Sequence, residues 1–258
     1  MRRLSGGGAV FHDLGNLNFT FIVRKPDYDV DRQLQVILEA VRRLGIQAEK
    51  TGRNDITVEG RKFSGNAFYQ TGDCCYHHGT LLVHADKENM SRYLNVPREK
   101  LASKGVSSVK SRVANLDEFC PGLTVDRVKA ALAEAFSQVY GQVAEKMEEK
   151  ELPEDAIGPL TEKFESWQWK YGRKIPFEHE MEQRFAWGGI QMQFHVDGGR
   201  IQEVNVFSDA MDQELIGNLS ERLKGCPYDG NAMCEAVKEA GTEGGIRQDI
   251  LSLIKESM

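Results

Sequence analysis

The side chains that can do chemistry cluster in a few short stretches of this 258-residue chain. The first is Arg2-Arg3-Leu4-Ser5-Gly6-Gly7-Gly8-Ala9-Val10-Phe11-His12-Asp13. Consecutive glycines strip a turn of side chains, so backbone N–H groups can close on an anion. The arginines before the turn add fixed charge and planar donors that suit phosphate. On composition alone, a flexible glycine-rich loop reads equally well. Gly52-Arg53-Asn54-Asp55 follows, and then Gly60-Arg61-Lys62-Phe63-Ser64-Gly65-Asn66-Ala67. Behind the turn at Gly60, Lys62 has a held backbone and a mobile ammonium, the ordinary reading being a solvated hairpin lysine. His12 and the pair His77-His78 have the ring chemistry for metal binding or general-base work, although most such histidines are structural. Cys120-Pro121-Gly122 sets a thiol beside a turn, where it can serve as a nucleophile.

The elements that must position these residues are legible from periodicity. Asn16 to Val23 alternates as a strand. Asp29 or Asp31 caps a helix whose stripe is Val30, Leu34, Ile37, Leu38, Val41 and Leu44, with Gly45 as its stop. Short strands are expected at Ile46 to Lys50 and Asp55 to Glu59, and a hairpin from Phe63 to Gln70 and Tyr76 to His84 across Gly72-Asp73. Strands this close in sequence argue for an antiparallel or mixed sheet rather than a doubly wound one. Between Asp86 and Val113 the basic residues Arg92, Arg98, Lys100, Lys104, Lys110 and Arg112 read as a solvated loop, or as a flap over an anionic intermediate. Thr124 caps an amphipathic helix that ends at Gly141. Trp167 and Trp169, two apart, fit a strand with both indoles on one face. After a linker at Tyr171 to Pro176, three strands (180–185, 190–196, 201–207) and three helices form a compact α+β unit. It holds no catalytic cluster, and Phe185, Trp187 and Gly189 read as packing and turn positions of a closing domain.

Composition narrows the class. Hydrophobic residues make up 40% and charged residues 28% of the chain, as in soluble globular proteins. A net charge of -6 gives no reason to expect nucleic-acid binding. The apolar runs are too short to span a bilayer, and no signal peptide follows Arg2 and Arg3. Five cysteines, two of them adjacent, suit neither a disulfide framework nor zinc, so the thiols read as reduced and the protein as cytoplasmic.

Taken in order, the segments at Arg2–Asn16, Gly52–Asp55, Gly60–Ala67 and His77–Leu82, with Ser166-Trp167-Gln168-Trp169-Lys170-Tyr171-Gly172 and Arg184-Phe185-Ala186-Trp187-Gly188-Gly189, resemble the lipoate–protein ligases over essentially the whole chain. The resemblance implies an α+β fold: a mixed or antiparallel-sheet catalytic domain of the biotin/lipoate ligase type at 1–174, and a small α+β accessory domain at 178–258. Ligases of this family carry a segment before the arginine–glycine motif, so the resemblance also implies an N-terminally incomplete catalytic domain and weaker ATP binding. The implied reaction activates lipoate with ATP to lipoyl-AMP, then transfers the lipoyl group to a lysine. The acceptors would be apo-lipoyl domains of 2-oxoacid dehydrogenase complexes or the glycine-cleavage H protein, with no nucleic acid or membrane partner. By the same resemblance Lys62 is the catalytic lysine, between the lipoyl carboxylate and the α-phosphate. Arg3, Gly6, Gly7, Gly8, Ala9, Val10, Phe11, His12, Ala67 and His78 line the ATP and lipoyl-AMP site. Asn54 and Asp55 either face a magnesium ion on the ATP phosphates or act as a local cap. Two other readings stand beside this one: an octanoyl or lipoyl transferase of the same superfamily using Cys120, and a non-catalytic chain that only binds acceptor domains.

Overall fold

A computed structural model describes residues 3–52, 54–94, 112–172, 175–241 and 244–258. The chain divides into two compact units, one of Ala9–Met147 and one that joins Met1–Gly8 to Glu148–Met258.

The first unit is a five-stranded sheet with helices on one face. Its strands are β1 (Asn16–Arg24), β2 (Glu49–Thr51), β3 (Asp55–Val58), β4 (Arg61–Thr71) and β5 (Cys74–Leu82). They lie in the order β1-β5-β4-β3-β2, and every neighbouring pair is antiparallel. Hydrophobic alternation sends Phe19, Phe21, Ile56, Phe63 and Leu81 to one face. Helix α1 (Val30–Arg43) covers that face with Leu34, Ile37 and Val41. Asp29 starts the helix by accepting the Arg32 N–H. Helix α3 (Val125–Tyr140), capped by Thr124, packs on α1 through the small residues Val36, Ala40, Ala131 and Ala135. Between them in sequence, α2 (Lys87–Tyr93) is capped by Asp86.

One polar cluster is sealed within the helix-covered layer. The fully buried His77 ring has Nδ1 3.1 Å from Gln33 Oε1 and Nε2 2.8 Å from Asn66 Oδ1. The Asn66 amide is fixed by exchange with Asn54: each Nδ2 donates to the other residue's carbonyl, at 3.0 and 2.9 Å. Asn66 Oδ1 therefore faces the ring, and His77 Nε2 carries the proton. Burial, and then the neighbouring His78, push the His77 pKa down to about 4, so the ring is neutral. Its Nδ1 then needs a donor. Turning the Gln33 amide end for end supplies one and also pairs Gln33 Nε2, which is otherwise a buried nitrogen without a partner.

The second unit contains α4 (Glu154–Glu165), α5 (Trp167–Tyr171) and a three-stranded antiparallel sheet, β6 (His179–Phe185), β7 (Gly188–Asp197) and β8 (Arg200–Ser208), in that order. Helices α6 (Gln213–Leu223), α7 (Gly230–Lys238) and α8 (Gly245–Ser257) follow. Ile190, Met192 and Phe194 alternate inward on β7 and meet Leu219, Leu223, Met233, Val237, Ile250 and Ile254. The strand expected at Trp167 and Trp169 is a helix instead. Ser166 caps it by accepting the Trp169 N–H at 3.1 Å, and Trp167 packs on Tyr171 one turn later, with ring centroids 5.7 Å apart.

Neutral His77 makes stability depend on pH. Between pH 6.5 and about 4 the unfolded chain binds a proton that folded His77 does not, so stability falls as pH drops, by about 3 kcal/mol over the whole window. Urea midpoints measured from pH 7 to pH 4 should fall more steeply for the native chain than for His77→Phe. Equal slopes would show that the ring ionises freely in the folded state.

Candidate active site

The geometry begins with an irregularity in the β3–β4 hairpin. Val58 pairs with Arg61 and Thr57 with Lys62, but Ile56 then pairs with Ser64 and Asp55 with Gly65. Phe63 is thus an extra residue, a bulge, and its ring is buried in the core. The insertion shifts all that follows by one, so Gly65 rather than Ser64 stands opposite Asp55, on the face that carries the Lys62 side chain.

Three charges meet on that face, opposite the helices. Lys62 Nζ lies 2.6 Å from Asp55 Oδ1, and an Arg112 guanidinium nitrogen lies 3.1 Å from Asp55 Oδ2. The carboxylate is buried, whereas the Lys62 side chain keeps 24% of its surface open. Among the described residues, two cations meet this one carboxylate. The Lys62 side chain lies flat across Gly65: a Cβ on Gly65 would stand 2.7 Å from Nζ and 2.9 Å from Cε. The ammonium is therefore held, and is not the mobile hairpin group expected from sequence.

Arg112 is placed by the segment that follows it. The Ala114 N–H donates to the Lys62 carbonyl at 2.9 Å. The Asn115 side chain accepts from the Ala85 N–H at 3.1 Å and donates to the Ala85 carbonyl at 2.8 Å. Glu118 accepts from Arg61 and Lys87, both at 2.8 Å, and from the Asn115 N–H at 2.6 Å. Burial opposes ionisation of Glu118, but the bonds from Lys87, the Asn115 N–H and Arg61 outweigh it and hold the carboxyl down at about 2.

The sheet brings other expected residues to the Lys62 face. Ala67 pairs with His78, and Gly65 with Thr80. The His78 ring lies tilted against Tyr76, and Tyr76 against Tyr69, at centroid distances of 5.5 and 5.2 Å. Before β1, Val10 and His12 are exposed, while Phe11 stacks on Tyr93 at 6.2 Å and packs with Leu82, Ala85, Met90 and Val113. Asn54 is spent on its exchange with Asn66, and both Asp55 oxygens have cationic partners. Among the described residues no group of three His, Cys, Asp or Glu could hold a metal ion. Asn54 and both Asp55 oxygens are thus engaged by protein partners, as the local-cap alternative expects of a polar turn. Cys120 packs against the core beneath Leu116 and Leu123, where an apolar role suffices. Arg53 and the basic residues Arg98, Lys100, Lys104 and Lys110 lie outside the described residues. Arg112, counted in sequence only as one of that basic run, meets the Asp55 carboxylate beside Lys62.

The glycine turn belongs to the other unit. Arg3 folds back on it, with Nε donating to the Gly6 carbonyl at 2.9 Å and Nη2 donating to the Gly7 carbonyl. Gly7 has φ +98°, a conformation that needs glycine. Gly8 closes the turn, and Ala9 begins the sheet unit.

Comparison with known proteins agrees with this architecture. Residues 1–137 match the lipoyl protein ligase A/B catalytic domain, and residues 174–254 match the bacterial lipoate protein ligase C-terminus. The fold is similar to that of P. falciparum LipL1 in complex with lipoate, at 28% identity and a TM-score of 0.83, covering 99% of this chain and 76% of that one. A bi-partite lipoate protein ligase from Thermoplasma acidophilum, studied with its lipoyl domain, is similar at 32% identity and a TM-score of 0.57, over 67% of this chain and 71% of that one. A lipoate-protein ligase A bound with ATP gives 30% identity and a TM-score of 0.56, over 66% and 71%. With a catalytic-domain model over more than half its length and a ligase C-terminal model over most of the remainder, the chain belongs to the lipoate protein ligase family.

Proposed function

We propose that this chain is an ATP-dependent lipoate–protein ligase, and that Lys62, held by Asp55 and flanked by Arg112, is its central catalytic residue. The observation that carries this reading is the Lys62–Asp55–Arg112 group at one end of a face that continues through Ala67 to His78, Tyr76 and Tyr69. Such a face suits a carboxylic acid with an apolar tail: the charge meets the cations and the tail runs along the strands past small and aromatic residues. A C-terminal ligase segment favours a ligase over the octanoyl transferase.

In the first step a lipoate carboxylate oxygen attacks the α-phosphorus of ATP. The bond to the β-phosphate oxygen breaks, and its electron pair leaves with pyrophosphate. Lys62 neutralises charge on the carboxylate as it approaches and on the α-phosphate oxygens as charge develops there. In the second step the neutral ε-amine of an acceptor lysine attacks the lipoyl carbonyl, AMP leaves with the electron pair, and the amine gives up a proton as the amide forms. Asp55 and Arg112 act through Lys62 by fixing where its ammonium sits. Phosphate binding is assigned to the turn of Gly6, Gly7 and Gly8 and its continuation through Ala9, Val10 and Phe11, with Arg3 and the Gly7 N–H holding the turn's shape, and His12 is assigned to the site lining. The acceptors we assign are apo-lipoyl domains, of which the archaeal relative's own lipoyl domain is an instance, and the glycine-cleavage H protein. The setting we assign is the cytoplasm, where the five free cysteines remain thiols.

Two substitutions test the role of Lys62. Lys62→Ala should lower lipoate-dependent ATP–pyrophosphate exchange by about a hundredfold or more. Near-normal exchange would remove Lys62 from the mechanism. Gly65→Ala leaves charge and donors untouched but pushes a methyl into the ammonium. It should cost about ten- to a hundredfold in exchange rate through misplacement alone, with the melting temperature lowered by only a few degrees. Full activity of Gly65→Ala would mean that the ammonium works from another position. Cys120→Ala should leave lipoylation within about twofold of the native rate, since a core thiol takes no part in the ligase reaction.

A further inference from the structure

The stretch Arg184-Phe185-Ala186-Trp187-Gly188-Gly189 reads in sequence as packing and turn, yet in the structure it converges on one carboxylate. Asp209, just after β8, accepts the Gly189 N–H on Oδ1 at 2.6 Å and faces the Arg184 guanidinium with Oδ2 at 3.4 Å. Gly188 leaves it room, since a Cβ there would stand 2.5 Å from Oδ1. The neighbours of Asp209 are tied to the same turn. The Ser208 hydroxyl donates to the Gly189 carbonyl at 2.7 Å and accepts the Ala210 N–H at 3.0 Å. With side chain and flanks held, the main-chain carbonyl of Asp209 has a set direction, and it accepts the Gly7 N–H at 3.1 Å.

On the other side of the turn is Arg3, bonded to the carbonyls of Gly6 and Gly7. In a trans peptide the C=O and the following N–H point opposite ways. The N–H groups of Gly7 and Gly8 therefore point away from the guanidinium, and that of Gly7 ends on Asp209. One peptide plane is gripped from both sides. A run of three glycines has the largest conformational freedom of any tripeptide, so an anion-binding shape is a minor member of its ensemble unless something outside holds it.

We propose that Asp209 is a positioning residue for the glycine turn: through its carbonyl, the C-terminal sheet holds the turn in the shape that an ATP phosphate requires. This rests on the ligase reading above, in which that turn takes phosphate.

The test uses the full chain and two readouts, amide hydrogen exchange at Gly7 and calorimetric affinity for ATP and for lipoate. In the native chain without ligand, Gly7 should be protected. Asp209→Ala releases Gly189 and Arg184, so Gly7 protection and ATP affinity should each fall about tenfold while lipoate affinity stays unchanged. Asp209→Asn still offers an oxygen to the Gly189 N–H and should restore most of both. Gly7 exchanging at the free-peptide rate in the native chain would overturn the proposal without any variant. A parallel loss of ATP affinity, lipoate affinity and cooperative melting in Asp209→Ala would overturn it in favour of a general folding role. A native chain that protects Gly7 yet binds no ATP would instead overturn the ligase reading, and the positioning role with it.

Discussion

A buried carboxylate shared by two cations decides where the ammonium of Lys62 stands. Asp55 sits on β3 with almost no exposed surface, and both of its oxygens are taken, by Lys62 and by Arg112. Removing one partner from such a group strands a charge in low dielectric, at a cost of about 3–5 kcal/mol. The arrangement is therefore held in place, as the role proposed for Lys62 requires. An ammonium already in position would lose little entropy when an anion arrived.

That group depends in turn on the hairpin and on the return of the chain. The bulge at Phe63 turns a ring into the core and leaves a glycine beside Lys62. The return segment supplies Arg112 and is pinned by the Lys62 carbonyl, by Ala85 and by the Arg61–Glu118 pair. Beneath the same strands, the His77 cluster joins α1 to β4 and β5 through Gln33 and Asn66. Polar groups buried this deeply specify register, because a slip of one residue would leave each of them unpaired.

The C-terminal unit shows how a motif can be read correctly for its residues and incompletely for its purpose. Gly188 and Gly189 do make a turn, and Phe185 does stack on Trp187, with centroids 5.2 Å apart. The consequence of that turn appears only at Asp209, beyond two intervening strands, where the carboxylate is caught and the carbonyl beside it reaches Gly7.

Local rules made much of this protein legible in its sequence. Asp29 and Thr124 start their helices because short polar side chains satisfy the first free N–H groups. The alternation along β1 and β7 announces a sheet with one packed face, and Lys62 and the glycine run stand out by residue type. Outcomes that depend on contacts between distant residues are not visible in the sequence. A spacing of two for Trp167 and Trp169 suggested a strand, but the Ser166 cap and the pairing of Trp167 with Tyr171 make a helix. Asp55 offered the oxygens of a metal ligand, yet the fold brings Arg112, 57 residues away, onto one of them. No pattern within either segment encodes that meeting. It follows from which strands pair, from one extra residue in a hairpin, and from the path of the chain back to β4. Residue types determined what chemistry was available here, and tertiary pairing decided which charges neutralise one another and which remain for a substrate.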